Sequence, residues 1–162
     1  MHTFMPKEPG PRRRPRVLVA GLGNLLLKDD GVGVHAVRAL QHGMPSGVRA
    51  IEVGTAVLDA LHLIEWADRI LAIDAMQADG PPGTVYRFGV DEVADQPIKA
   101  SLHEVDLLAT IHFLTSAHRP EIVVLGVQPE TIDTGMDLSP SVQAALPRIV
   151  AAANDIVTCW RA

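Results

Sequence analysis

Residues 16–34 read Arg-Val-Leu-Val-Ala-Gly-Leu-Gly-Asn-Leu-Leu-Leu-Lys-Asp-Asp-Gly-Val-Gly-Val, and this stretch predicts the first strand, the first loop and the first helix start of the fold. The apolar run at 17–20 lacks alternation, which is typical of a parallel strand buried on both faces. Glycines after such a strand usually indicate a dinucleotide loop, but Leu26 occupies the place of its third glycine. Asp29 and Asp30 would also repel a pyrophosphate. A loop that offers two carboxylates favours a cation instead.

The charge of the chain is unevenly distributed. The 162 residues carry a formal charge of -5, but five of the fourteen basic residues and one of the nineteen acidic residues precede position 17. Residues 17–162 therefore hold nine basic and eighteen acidic groups, which argues against a nucleic-acid partner. Residues 1–15 are rich in Pro and Arg without periodicity and predict a disordered basic extension. Residues 16–162 are predicted to form a single α/β domain, as the length favours.

Hydropathy and cysteine content predict where the chain resides. No apolar run approaches the roughly 18 residues that a membrane-spanning helix needs, so we expect no membrane span. Cys159 is the single cysteine, which excludes a disulfide within the chain and fits a reducing compartment. The sequence therefore predicts a cytoplasmic protein.

Apolar patterning predicts strands that alternate with helices. Strands are predicted at residues 17–20, 48–53, 69–73, 84–88 and 121–127. Helices are predicted at residues 32–41, 56–66 with Thr55 as the N-cap, about 101–116, and from Pro140 onward. Strands separated by helices of this length predict a three-layer α/β/α fold with a mainly parallel, twisted five-stranded sheet.

Three potential metal ligands fall at corresponding places in this predicted fold. Asp30 follows the first strand, Asp74 ends the third, and His103 lies in the first turn of the helix near residue 101. Ligands of parallel sheets bind beyond the carboxyl ends of the strands, so all three side chains can meet at one edge. Two carboxylates and one imidazole form a three-ligand set with an open position, as in catalytic zinc or nickel sites.

Each of these residues also has a purely structural interpretation. Asp29 or Asp30 can cap the helix that begins near Val32, Asp74 can cap a turn, and His103 can bond a backbone carbonyl. The chain contains no His-Glu-x-x-His metalloprotease motif and no Gly-x-Ser-x-Gly nucleophile motif. Spacing alone therefore leaves the metal site and the structural alternative both open.

Four segments of the chain resemble the motifs of the nickel-iron hydrogenase maturation endopeptidases. The first motif combines Gly-Leu-Gly-Asn at 21–24 with Asp-Asp-Gly-Val-Gly at 29–33. The others are Leu-Ala-Ile-Asp-Ala at 71–75, Ser-Leu-His at 101–103 and Gly-Val-Gln-Pro-Glu at 126–130, and all occur in the family's order. The chain departs from the family at 52–55, where Glu-Val-Gly-Thr replaces a frequent Asp-Gly-Gly.

This resemblance implies a function and a partner. The family removes the C-terminal peptide from the precursor of the [NiFe] hydrogenase large subunit after nickel insertion, and residues matching Asp30, Asp74 and His103 bind the metal. These three residues are thus the expected catalytic and metal-binding residues, nickel in the substrate is the expected metal, and zinc or another divalent ion is possible in the isolated protein. The alternatives are a nickel-binding or delivery protein without proteolysis and a nucleotide-binding α/β module.

Overall fold

Five strands form one sheet in the computed structural model, which describes residues 11–89 and 119–162. The strands are β1 (Val17–Leu22), β2 (Val48–Gly54), β3 (Arg69–Ala75), β4 (Val85–Gly89) and β5 (Glu121–Val127). Their spatial order is β2-β1-β3-β5-β4, and every neighbouring pair is parallel except β4 with β5. The predicted mainly parallel five-stranded sheet is confirmed.

Helices cover both faces of this sheet. They are α1 (Val32–Leu40), α2 (Leu61–Trp66) and α3 (Pro140–Arg161), with 3-10 turns at Lys28–Gly31 and Val57–Ala60. Alternate residues of β1 point to opposite faces of the sheet. Val17 and Val19 pack in one core with α1 and α3, and Leu18 packs in the other core with α2. Every residue of β1 is buried, as a strand inside a three-layer α/β/α fold requires.

Several predicted boundaries differ from the structure by one or two residues, and one predicted helix lies outside the described residues. β1 and β2 extend to Leu22 and Gly54, β4 covers Val85–Gly89 rather than 84–88, and α1 ends at Leu40 rather than at 41. The predicted helix at 56–66 begins instead as a 3-10 turn, and the predicted N-cap Thr55 is wrong, because Ala56 precedes that turn and no side chain caps it. Strand β3 extends two residues further than predicted, which places Asp74 inside the strand rather than after it. The helix predicted at about 101–116 lies outside the described residues.

The strand order defines where a ligand can bind. β1 has β2 on one side and β3 on the other, so the chain reverses its direction of travel across the sheet at β1. In open parallel sheets the crevice at such a reversal, beyond the carboxyl ends of the strands, is the usual ligand site. The loops that follow β1 and β3 lie at this crevice.

Residues 11–16 form neither helix nor strand, yet they contact the body of the protein. Both terminal nitrogens of Arg13 donate to Asp68, at 2.8 and 3.0 Å, and Arg161 donates to the carbonyl of Pro15 at 2.6 Å. Burial would raise the pKa of Asp68, but its bonds to Arg13 and Arg16 outweigh burial and hold that pKa well below its usual range. The domain boundary near residue 15 remains a prediction. No helix in the described residues is long and apolar enough to cross a membrane.

Candidate functional site

Gly23, in the loop after β1, lies between Asp30 and Asp74. Its φ of +109° favours glycine. A Cβ atom built at this position would overlap the carbonyl oxygen of Asp30 and would lie 3.2 Å from Oδ1 of Asp74. The loop after β1 therefore passes directly over the end of β3, and the two predicted carboxylate residues adjoin the same glycine.

Hydrogen bonds orient both carboxylates. Oδ2 of the half-buried Asp30 accepts the N–H of Asn24 at 2.8 Å, and the Asn24 side chain in turn accepts the N–H of Leu26 at 2.9 Å. Asp74 is fully buried, and its Oδ1 accepts the N–H of Ala75 at 2.9 Å. A charge held in so water-poor a place interacts with a cation more strongly than a charge at the surface does.

A close contact between helix and sheet fixes the start of α1 near these carboxylates. A Cβ atom at Gly33 would overlap the carbonyl oxygen of Ile73 and would lie 2.7 Å from the amide nitrogen of Leu22. Only glycine allows the first turn of α1 to approach the backbones of β1 and β3 so closely. The 3-10 turn that carries Asp30 precedes α1 directly and is therefore held over the ends of these two strands.

Asp29 has a different role from its neighbour Asp30. Its side chain is completely buried, and four donors from distant residues point at it. Oδ2 accepts the N–H groups of Glu130 and Thr131, both at 2.9 Å, and the hydroxyl of Ser139 at 2.7 Å, while Oδ1 accepts the N–H of Ser139 at 2.8 Å. No side-chain hydrogen bond caps α1, so Asp29 instead joins the loop after β1 to the segment before α3.

The surroundings of Asp29 make it a poor general base. Burial by itself would raise the pKa of this carboxyl, but the hydrogen bonds from Thr131, Ser139 and Glu130 together lower it below its ordinary value. A carboxylate with a lowered pKa and four donors in place has little tendency to take a further proton. Asp29 is therefore a structural brace beside the candidate site.

Gln128 is a supporting residue that the sequence did not predict. It is buried, and its side-chain oxygen accepts the N–H groups of Ala78 and Gly80 at 2.8 and 3.4 Å. Its side-chain amide donates to Gln77 at 2.8 Å. These bonds fix the loop that follows Asp74 to the end of β5. The sequence signals at this position were a polar residue between the apolar β5 and Pro129 and its place in the Gly-Val-Gln-Pro-Glu segment at 126–130.

The structure brings together two of the three predicted site residues, and the third lies outside the described residues. Asp30 and Asp74 adjoin Gly23 at the reversal of the sheet. Within residues 11–89 and 119–162, no three His, Cys, Asp or Glu side chains form a group that could hold a metal ion. A three-ligand site at Asp30 and Asp74 therefore needs a residue from elsewhere, and His103 is the predicted one.

Comparisons with known proteins identify the family of this fold and site. A family model described as hydrogenase maturation protease matches residues 34–156. The hydrogenase 2 maturation protease of Escherichia coli is 32% identical over 151 residues, which cover 86% of this chain and 92% of that protein. Among solved structures, the hydrogenase maturating endopeptidase HybD from Escherichia coli gives a TM-score of 0.79 at 28% identity, with 88% of this chain and 92% of that chain covered. The [NiFe] hydrogenase maturation protease HybD from Thermococcus kodakarensis gives 0.76 at 32% identity, with 87% and 98% covered. The chain therefore belongs to the hydrogenase maturation protease family and is a peptidase.

Proposed function

We propose that this chain is the endopeptidase that removes the C-terminal peptide from the precursor of a [NiFe] hydrogenase large subunit once nickel has been inserted. Membership of the maturation protease family supports the reaction class. The solved relative from Thermococcus kodakarensis, at 32% identity, is named for [NiFe] hydrogenase maturation, which supports a nickel-containing substrate. We place the reaction in the cytoplasm, where the sequence predicts the protein to reside.

The observation that carries this proposal is the position of Asp30 and Asp74 around Gly23, at the crevice beyond β1 and β3. We assign Asp30, Asp74 and His103 as the residues that contact the nickel of the substrate. Carboxylate and imidazole donors suit divalent nickel and zinc. In the isolated protein the same three residues would hold zinc or another divalent ion with exchangeable water.

In this mechanism the metal of the precursor serves first as a recognition element. Asp30 and Asp74 supply negative charge to the crevice, which favours a precursor that carries a cation over one that does not. A bound metal can also polarise a carbonyl or lower the pKa of a water molecule, and this is the chemistry that nickel would supply near the bond to be cut. The residues of the chain contribute the orientation of the precursor, through the hydrogen bonds that fix Asp30 and the backbone that surrounds Asp74.

The experiment compares wild type with Asp30→Asn and His103→Ala on purified precursor, with and without nickel, followed by mass measurement of the large subunit. Asp30→Asn keeps the shape of the side chain and removes its charge. Both variants should remain folded and leave the precursor unprocessed, whereas wild type should trim only the nickel-loaded form. Asp155→Asn, on the exposed side of α3, is the matched control and should trim normally.

Two outcomes would contradict the proposal. Equal trimming of nickel-loaded and nickel-free precursor by wild type would exclude nickel recognition, and normal trimming by Asp30→Asn would remove Asp30 from the site. A wild-type protein that binds nickel and the precursor but never changes the precursor's mass would instead be a nickel-delivery protein without proteolysis.

A further inference from the structure

Three large apolar side chains are exposed on two loops beside the candidate site. Leu26 follows β1 and is 60% exposed, while Ile132 and Met136 follow β5 and are 49% and 55% exposed. In the part of the chain that the structure describes, the other exposed large apolar residue is Leu58, in the turn after β2. Exposed apolar side chains that cluster on one surface indicate an interaction site.

Backbone hydrogen bonds hold these two loops together. The N–H of Gly135 donates to the carbonyl of Leu26 at 2.9 Å, and the N–H of Lys28 donates to the carbonyl of Gly135 at 2.7 Å. Leu27 and Gly135 form an isolated parallel bridge, so Leu26 and Met136 flank one joint between the loops. We call the surface of Leu26, Ile132 and Met136 the apolar patch.

The apolar patch adjoins the candidate site through short backbone connections. The N–H of Asp30 donates to the carbonyl of Leu27 at 3.2 Å, and Asn24, which binds the Asp30 carboxylate, also binds the N–H of Leu26. On the other loop, the residue before Ile132 donates its N–H to the Asp29 brace. A chain that lies on the apolar patch would therefore reach Asp30 within a few residues.

Acidic side chains border the apolar patch. Glu130, Asp133 and Asp137 are all exposed, and they lie within the same loop as Ile132 and Met136. Lys28 is the one basic residue in segments 24–31 and 128–139. The surface therefore combines apolar contact area with an acidic border, which complements a partner that carries apolar and basic side chains together.

We propose that the apolar patch binds the segment of the precursor next to the bond that is cut, and that this segment is extended and carries an apolar side chain beside Lys or Arg. This inference rests on the proposed function, because an endopeptidase must hold its substrate on at least one side of the cut bond. The apolar side chain of the segment packs on Leu26 and Met136, and its basic side chain faces Asp133 and Asp137. The patch thus selects the chain to be cut, separately from the metal recognition at Asp30 and Asp74.

The test measures steady-state trimming of nickel-loaded precursor by three variants. Leu26→Gln with Met136→Gln keeps side-chain volume and removes apolar contact, Asp133→Lys with Asp137→Lys reverses the acidic border, and Asp155→Lys is the control for charge. Asp155 is exposed near the C-terminal end of α3. The N-terminal end of the same helix adjoins the Asp29 brace, so Asp155 lies toward the opposite edge of the sheet. Because the five substituted side chains are exposed, melting temperatures should stay close to wild type.

The two patch variants should raise KM by about tenfold each and leave kcat within about twofold, since they weaken substrate binding without touching Asp30 or Asp74. The KM of wild type should rise with ionic strength, and the Asp133→Lys, Asp137→Lys variant should lose this dependence. Sequencing of the released peptide and of the new terminus should find Lys or Arg within a few residues of the cut.

Different failures point to different errors. If wild type trims the precursor but both patch variants show wild-type KM, or if Asp155→Lys impairs KM equally, the docking proposal is wrong. Association of the chain with itself that Leu26→Gln and Met136→Gln abolish, measured by sedimentation, would assign the patch to a second copy instead. If wild type does not trim the precursor at all, the proposed function is wrong, and the docking proposal that rests on it is wrong as well.

Discussion

The substitution Asp29→Asn removes one negative charge from the fully buried carboxylate that joins the loop after β1 to the start of α3. The change keeps side-chain shape, so its effect isolates the hydrogen bonds. An asparagine can turn its oxygen toward the three donors that now meet Oδ2, but its NH2 group then faces the N–H of Ser139. Two donors that face each other inside the protein cannot both be satisfied.

The loss of folding stability in Asp29→Asn follows from the number and type of these hydrogen bonds. An unpaired buried donor costs about 1–3 kcal/mol, and the three remaining bonds lose the extra strength that a charged acceptor gives them. We expect Asp29→Asn to lower the free energy of unfolding by about 2–4 kcal/mol, which for a chain of this length corresponds to a fall of roughly 5–15 °C in melting temperature. The variant should still fold, because total stabilities are about 5–15 kcal/mol.

Urea unfolding of wild type and Asp29→Asn as a function of pH provides the measurement. The pKa of Asp29 is lowered in the folded protein, so its carboxylate stabilises the fold fully above the unfolded pKa of about 3.8 and loses this effect as the pH falls toward the folded value. The stability difference between wild type and variant should therefore be largest near neutral pH and shrink below about pH 4. The asparagine side chain does not titrate, so the variant gives the reference free energy of unfolding at each pH.

Asp133→Asn is the matched control, since Asp133 is exposed on the same loop and accepts one local bond from the N–H of Thr134. Its effect should stay within about 0.5 kcal/mol. A stability loss in Asp29→Asn no larger than in the control, or a loss that does not change between neutral and acidic pH, would refute the role of Asp29 as a brace. Well below its melting temperature, folded Asp29→Asn should retain measurable trimming, because its carboxylate faces the loop before α3 rather than solvent.

Two further predictions concern the amino-terminal segment and the metal. Deletion of residues 1–15 removes the exposed ion pair between Arg13 and Asp68 and the bond from Arg161 to the carbonyl of Pro15. Each is worth about 1 kcal/mol or less, so the melting temperature should fall by no more than about 8 °C in a thermal scan; a much larger loss would show that the segment is part of the folded domain. The isolated protein should bind about one equivalent of zinc or nickel in calorimetry, and a double variant with Asp74→Ala and His103→Ala should lose that binding; unchanged binding would place the metal elsewhere.

The parallel strands could be predicted from the sequence because their apolar runs are continuous and have clear ends. β5 was predicted with the bounds that it has in the structure, since the apolar run after Pro120 ends at Gln128 and Pro129. The start of the helix after β2 could not be predicted. Gly54 turns the chain with a φ of +60°, the N–H of Ala56 bonds the carbonyl of Val53, and the following residues tighten into a 3-10 turn. Thr55 is thereby moved out of the cap position that its type suggests.

The site was predictable only to the extent that it depends on strand order. Asp30 and Asp74 could be predicted to lie together because residues after parallel strands meet at one edge, and both adjoin Gly23. The roles of Asp29 and Gln128 depend on partners about 50 to 110 residues away in sequence, and no local pattern encodes such partners. Two adjacent aspartates of identical chemistry thus have different partners, because Asp30 accepts an N–H within its own loop and Asp29 accepts donors from the segment before α3.

The hydrogen bonds of Asp29 also span the end of the strand that carries Asp74. β3 lies between β1 and β5 in the sheet, so a bond from the loop after β1 to the segment after β5 has to cross the end of β3. Asp74 is the residue next to the last in β3, and it has no exposed surface. The brace thus joins the loop that carries Asp30 to the segment on the other side of β3, the strand that carries Asp74. A substitution that opens the brace should expose Asp74 to water and weaken its attraction for a cation, even though Asp29 itself contacts no substrate.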